Sequence, residues 1–181
     1  RDSMIYSDGA GATIIEEKAK ISNTGILSHK SCSFSSEETF YLFFGESFNS
    51  KEESKDHYIK MYGHKIYEFA LTHVPLALKS CLEDSGKSIK DVKKVFLHQA
   101  NEKMDEAIVN RFYKLYDLIP PNNVMPMSIE KLGNSSVATI PTLYDLVKKN
   151  KLKNHNIKKG DIILFGSVGA GMNVNAITYQ V

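Results

Sequence analysis

Cysteine is scarce in this 181-residue chain, which holds only Cys32 and Cys81. Two thiols do not make a disulfide framework, and neither lies in a CxxC or Cys/His ligand spacing, so both are expected to be reduced and no metal site is expected. Charge of one sign is scarce too. A formal net charge of +2 is too small for the electrostatic footprint of a nucleic-acid-binding protein. No stretch approaches the roughly 18 consecutive apolar residues of a membrane span, and Arg1-Asp2-Ser3 lacks the charged and apolar regions of a secretory signal peptide. A cytoplasmic location is therefore expected, with neither nucleic acid nor membrane as partner. The six histidines form no HxxxH or HExxH pattern. No GxxxxGK[ST] loop is present to cradle a phosphate.

What remains is ordinary for a folded domain: 42% apolar and 24% charged residues, in a length able to bury most of its apolar surface unaided. A single domain over residues 1–181 is expected. Met4-Ile5-Tyr6 and Thr13-Ile14-Ile15 read as strands flanking a tight turn, Asp8-Gly9-Ala10-Gly11-Ala12, whose glycines allow positive φ or close backbone approach inside a buried sheet. Over residues 23–56 the composition turns to Ser, Glu and Lys around one apolar patch, Phe40 to Phe44. That predicts a long excursion with one strand pinned to the body. From His57 to Asp84, Ile59, Tyr62, Ile66, Phe69, Ala70 and Leu76 follow helical spacing, Pro75 should kink or divide the helix, and Gly86 should end it.

Ser88 is placed to cap a short turn, and Val95-Phe96-Leu97 is an apolar run of the buried-strand type. Asn101 is the expected N-cap of a helix bearing Met104, Ile108, Phe112 and Leu115 on one stripe. A further helix after Gly133-Asn134-Ser135 carries Val137, Ile140, Tyr144 and Val147, with Pro141 too deep in it for a regular first turn. Asp161 to Phe165 reads as a buried strand, Gly166 to Gly171 as a flexible turn, and Val174 to Val181 as the last strand of a hairpin-like pair. The order β, β, α, β, α, α, β, β indicates mixed α/β layers.

Two polar clusters stand out against this apolar framework: His98-Gln99-Ala100-Asn101 and Gly133-Asn134-Ser135-Ser136. His98 falls at the carboxyl end of a strand, where open α/β sheets place their ligand sites. Read alone, His98 is either a site residue or a satisfied core histidine. Asn134 alone is either a site residue or an ordinary turn residue after glycine.

Taken together, Ser7-Asp8-Gly9-Ala10-Gly11-Ala12, Met61-Tyr62-Gly63, His98-Gln99-Ala100-Asn101, Gly133-Asn134-Ser135-Ser136 with Pro141, and Gly166-Ser167-Val168-Gly169-Ala170-Gly171 resemble the C-terminal half of the β-ketoacyl-acyl-carrier-protein synthase III family, within the thiolase superfamily. The resemblance covers nearly the whole chain. It implies the C-terminal half of a thiolase-like fold, with a five-stranded mixed sheet and helices packed on its faces. It further implies a decarboxylative Claisen condensation of an acyl-CoA-derived acyl group with malonyl-acyl carrier protein, in fatty-acid or related synthesis, without a cofactor.

The active enzymes of that family use a Cys-His-Asn triad, of which this chain matches His98 and Asn134. The cysteine belongs to the family's first half, so an N-terminal half of the same enzyme is the expected partner and the chain alone is expected to be inactive in condensation. Cys32 lies in the polar excursion and Cys81 in a helix without an activating cation, so neither is the expected nucleophile. Ala170 matches the residue whose backbone N–H serves a second oxyanion. Gly63, His64 and Asn101 match positions lining the pantetheine tunnel, and Lys103 a basic residue that would dock an acidic carrier protein. A solvated first-turn lysine is the simpler alternative for Lys103. Full-length relatives are expected to be homodimers. Two competing functions remain open: another synthase of the superfamily acting on coenzyme A thioesters, and a catalytically silent half that serves as a binding partner.

Overall fold

The computed structural model describes residues 5–17 and 24–181. In chain order its elements are β1 (Gly25–Ser33), β2 (Leu42–Glu46), β3 (His57–Met61), α1 (Gly63–Asp84), β4 (Val92–Leu97), α2 (Glu102–Lys114), α3 (Ile129–Leu132), α4 (Thr139–Lys148), β5 (Ile162–Gly169) and β6 (Asn173–Gln180). Four of the strands form one sheet in the order β1-β6-β5-β4, and β2 and β3 pair separately. β4 and β5 run parallel while β5–β6 and β1–β6 are antiparallel, so the sheet is mixed. A parallel pair needs a long crossover, and the segment carrying α2, α3 and α4 provides it.

Alternation along the strands decides what covers each face. Val95, Leu97, Leu164, Val174 and Ala176 pack with α1 and α2, where Leu78, Leu82 and Phe112 are fully buried. Phe96 and Ile163 point the other way, against Leu143 and Val147 of α4. With both faces covered, the central strands need apolar residues at nearly every position, as Ile162, Ile163 and Leu164 have. Each buried Leu or Phe side chain contributes about 1.5–3 kcal/mol.

α1 is one continuous helix of 22 residues with Pro75 inside it. Proline has no N–H for the Leu71 carbonyl four residues earlier. That carbonyl instead accepts from Arg111 Nη1 on α2, at 3.3 Å. The helix stops at Ser85, and Gly86 follows with φ +70°, the left-handed conformation that suits glycine. A capping box on Ser88 and Asp91 then turns the chain into β4.

Several expectations change. Instead of five strands in one sheet, the described residues hold a four-stranded sheet and a separate two-stranded ribbon. The segment around Gly9 and Gly11 contributes no regular strand: Tyr6 makes one isolated parallel bridge to Asn134, while Ile14 and Ile15 are largely exposed. Met4, the first residue of that expected strand, lies outside the described residues. An apolar run needs a neighbouring strand to become part of a sheet, and of this run only Tyr6 finds one. Conversely, residues 25–33 of the expected excursion form β1, at the edge of the sheet. Its Ser, His and Lys side chains conceal it, because an edge strand buries little on its outer face. Within β1, Ser28 Oγ donates to the Cys81 carbonyl at 2.6 Å and Ser31 Oγ to Asn175 Oδ1 at 2.8 Å.

Ile59 belongs to β3, not to the long helix, which starts at Gly63. The helix after Asn134 begins only at Thr139, behind a 3-10 turn over Ser136–Ala138, so Pro141 falls in its first turn, where a missing N–H removes no helical bond. The same delay leaves Val137 exposed at 90% instead of on the buried face. Residues 166–169 extend β5 and narrow the turn to 170–172. Leu115 closes α2 at a half-exposed position.

Candidate functional site

His98 is the first residue beyond β4, and its N–H continues the parallel ladder by donating to the Gly166 carbonyl at 2.9 Å. Its side chain is thereby aimed past the carboxyl edge of the sheet. Burial pushes the imidazole pKa below its usual 6.5, opposed by a backbone hydrogen bond with Ser136. Burial has the larger influence, so the ring is neutral near pH 7.

Asn134 is buried at 4% exposure and held from two directions. Its N–H donates to the Ile5 carbonyl at 3.0 Å and its carbonyl accepts from Ser7 N–H at 2.9 Å. Its Oδ1 accepts the Ser136 N–H at 2.9 Å, so the end of the amide left to serve a ligand is the Nδ2 donor. Gly133, just before it, has φ +65°. Close approach explains the glycines of the N-terminal segment. A Cβ on Gly9 would stand 2.7 Å from Ser135 Cβ, and one on Gly11 would collide with Pro141. The crowding expected inside a sheet bend is thus against the Asn134 turn and the first turn of α4.

His98, Asn134 and Ala170, drawn from three separate loops, line one cavity of about 450 Å³. Its wall is mostly apolar, with Leu42, Met61, Ile66, Met104, Ile140 and Met172 prominent. A mostly apolar cavity with a few convergent polar groups is the usual form of a small-molecule site. The other expected positions are not part of its lining. Gly63 opens α1, His64 is exposed with Nδ1 3.6 Å from Glu68 Oε2, and Lys103 is exposed on the first turn of α2. Asn101 caps α2, its Oδ1 accepting the Met104 N–H at 3.2 Å. Their neighbours Met61, Ile66, Ala100 and Met104 make the wall instead.

Cys32 is exposed on β1 and Cys81 is buried in α1, where Thr178 Oγ1 donates to Cys81 Sγ at 3.4 Å. Neither lines the cavity. Among the described residues, no group of three His, Cys, Asp or Glu is placed to hold a metal ion, and no helix is long and apolar enough to cross a membrane.

The family model for the C-terminal part of 3-oxoacyl-[acyl-carrier-protein] synthase III matches residues 82–181, more than half of the chain and the stretch carrying both polar clusters. The chain belongs to that family. Among curated relatives, the β-ketoacyl-[acyl-carrier-protein] synthase III of Porphyra umbilicalis is 32% identical over 184 residues, covering 98% of this chain and 52% of the relative. That of Prochlorococcus marinus strain MIT 9215 is 29% identical over 185 residues, covering 97% of this chain and 51% of the relative. The chain therefore spans about half the length of the synthase III sequences it matches.

Solved structures agree on the fold. The 3-oxoacyl-(acyl carrier protein) synthase III of Pseudomonas aeruginosa PAO1 superposes with a TM-score of 0.69 at 19% identity, over 86% of this chain and 44% of that one. The synthase III of Aquifex aeolicus VF5 gives 0.66 at 24% identity, over 91% and 46%. The architecture is accordingly thiolase-like α/β.

Sequence reasoning quoted Gln99 as part of a motif without a role for it. The structure buries it completely and engages both ends of its amide with residues 126–128. No local signal marks this, since the partners lie 27 to 29 positions away. Tyr6, Met61, Met104 and Met172 were likewise not read as cavity residues, because an apolar residue of a wall and one of a core look alike in sequence.

Proposed function

We propose that this chain supplies the His98 and Asn134 part of a decarboxylative condensation site in a 3-oxoacyl-acyl-carrier-protein synthase III. The observation that carries the reading is the meeting of those two side chains in one mostly apolar cavity, 36 positions apart in sequence, with the Asn134 amide held by its oxygen.

In the proposed step a malonyl thioester on the carrier protein loses carbon dioxide. The bond between the α-carbon and the carboxylate breaks, and its electron pair passes into the enolate, whose oxygen becomes negative. The Nδ2–H of Asn134 stabilises that oxygen, and His98 does so with its one N–H, which leaves the Ser136 backbone for the substrate. Neither donor loses its proton near pH 7, and the lowered pKa of His98 keeps it from adding charge. Such a donor is worth about 2.7–4 kcal/mol of transition-state stabilisation. The enolate carbon then attacks an acyl group carried as a thioester on a cysteine outside this chain, forming the new carbon–carbon bond and releasing the thiolate. The Ala170 backbone N–H serves the oxyanion formed when the acyl group first moves from coenzyme A to that cysteine. No cofactor enters the scheme.

Gly63, His64 and Asn101 are assigned to the pantetheine passage beyond the cavity, and exposed Lys103 to docking of the acidic carrier protein, for about 1 kcal/mol or less. The cysteine-bearing N-terminal half is the intramolecular partner, the complete enzyme is a homodimer, and this chain alone does not condense.

The test uses the protein as its gene encodes it, with acyl-CoA and malonyl-loaded carrier protein, and products weighed by mass spectrometry. A β-ketoacyl carrier species is expected. His98→Ala and Asn134→Ala should each reduce decarboxylation by roughly 100- to 1,000-fold while cysteine acylation continues. Loss of acylation in both variants would overturn the assigned roles.

A further inference from the structure

Among the described residues the edge of β4 carries no further strand, yet it is covered. Residues 123–128, which have no regular secondary structure, run beside it. Val95 N–H donates to the Val124 carbonyl at 2.9 Å, and Lys94 Nζ donates to the Asn123 carbonyl. At the carboxyl end the stitching passes to a side chain. Gln99 Nε2 donates to the Pro126 carbonyl at 2.9 Å and lies 3.3 Å from Met127 Sδ. Gln99 Oε1 accepts from Ser128 N–H at 2.9 Å and from Ser128 Oγ at 3.2 Å. Gln99 is 0% exposed, so water cannot replace these partners.

The location of this clamp gives it a consequence. Gln99 directly follows His98. Ser128 is the N-cap position of α3, a single turn of four residues that ends at Gly133 and delivers the chain to Asn134. α3 is too short to hold itself in place. Its Ser128 carbonyl accepts from both Lys131 and Leu132 N–H, which makes the Ser128 backbone the base of the turn. The Asn134 end is fixed separately, by Ile5 and Ser7.

We propose that Gln99 is a positioning residue: by holding Ser128 to the residue beside His98, it sets the separation of the His98 and Asn134 donors for the enolate oxygen. It touches no substrate and acts only through the turn it anchors. The inference rests on the condensation reading above and adds to it the device that brings the two donors into register. Two donors aimed at one oxygen tolerate little displacement, and a shift of about 1 Å at such a site reduces rate by roughly 100-fold.

The experiment compares three variants in the protein as encoded: Gln99→Leu, which keeps the volume and removes both hydrogen-bonding ends; Gln99→Glu, which keeps the acceptor for Ser128 and loses the donor to Pro126; and His98→Ala as reference. Malonyl decarboxylation and cysteine acylation are measured separately for each. Gln99→Leu should lower kcat for decarboxylation by about 10- to 100-fold with KM for the malonyl carrier within about twofold and acylation unchanged. Gln99→Glu should recover a substantial part of that loss, since the Ser128 contact is the one that matters. Equal loss of acylation and decarboxylation in Gln99→Leu, or no loss of either, would overturn the proposal. If Gln99→Leu fails to fold, Gln99→Glu decides alone: its decarboxylation must fall less than tenfold with acylation intact, and an equal fall in both overturns the proposal. A His98→Ala variant that still decarboxylates would refute the condensation reading itself, a result separate from any outcome at Gln99.

Discussion

The two ends of β4 use the same chemistry for different purposes. Near its start Lys94, 5% exposed, reaches to the Asn123 carbonyl and stands 3.3 Å from His155 Nδ1. Just past its end Gln99 reaches to Pro126 and Ser128. Both are buried polar side chains that fasten one irregular segment to one strand, and each makes up for the ladder partner the edge lacks. They differ in what the fastened segment leads to. The Asn123 end meets the loop around His155, and the Ser128 end leads to Asn134 and the cavity. Under the proposed condensation, a buried hydrogen bond has functional weight only when the segment it restrains carries a reacting group. Burial is nearly the same at the two ends and does not distinguish them.

The strongest way to break this comparison is to cross it. His98→Ala carries the largest expected effect, the roughly 100- to 1,000-fold loss of decarboxylation already described, and it should leave the denaturation midpoint almost unchanged. Lys94→Met should do the reverse. It removes the charged hydrogen bonds from Lys94 to the Asn123 carbonyl and His155, destabilising the fold by about 1–3 kcal/mol in urea titration, with decarboxylation per folded molecule unaltered. A Lys94→Met enzyme slowed as much as a Gln99 variant would erase the distinction between the ends.

Asp105 sharpens it from the opposite side. Fully buried on α2, it has no hydrogen-bond partner for either carboxylate oxygen, and burial, with Glu102 and Glu106 nearby, raises its pKa from 3.8 to about 8. The folded state therefore keeps a proton that the unfolded chain releases above pH 3.8, so stability declines as pH rises from there and levels off above about 8. Asp105→Leu should stabilise the protein by about 1–3 kcal/mol near neutral pH. The gain should vanish in acid and grow with pH across that window, as read from urea midpoints. A pH-independent gain would mean that the carboxyl is not the cause.

The smallest expected effect belongs to His155. Burial first, and then the Lys94 charge, hold its pKa below 6.5. An unfolded chain takes up that proton more readily, so the contribution is complete above pH 6.5 and is lost as pH falls through the lowered folded value. His155→Gln keeps an acceptor for Lys94 without titrating. The difference in urea midpoint between His155→Gln and wild type should change only on the acid side of about pH 5 to 8, and comparison with wild type removes the parallel contribution of His98. A flat difference would show that Lys94 does not rely on a neutral His155.

Much of the fold was legible because local rules act on local residues. The Met104, Ile108 and Phe112 stripe, the Asn101 cap, the Gly86 stop and the buried strands at Val95 and Ile162 follow from periodicity and terminus chemistry that no distant contact overrides. β1 was not legible, since Ser28, His29 and Lys30 show no apolar alternation and are ordered by β6 and α1. The strands expected around Gly9 failed for the complementary reason: Ile14 and Ile15 have the composition of a strand and no pairing partner among the described residues. At the site, His98 and Asn134 were marked by their motifs, and the resemblance assigned them a shared reaction. The apolar wall of the cavity, at Met61, Ile66 and Met104, was not legible, because a motif does not record which way a side chain points.

By itself, then, the sequence determined the α/β class, the family to which the chain belongs and the two polar clusters that mark the candidate site, since each depends on residue type and short-range spacing. Only the tertiary structure decided that Gly9 and Gly11 crowd Ser135 and Pro141, that Asn134 commits its Oδ1 to the Ser136 N–H, and that Gln99 holds Pro126 and Ser128. The first and last are contacts between segments far apart in the chain, and hydrogen-bond direction and close approach are set by where the backbone goes once the core has formed.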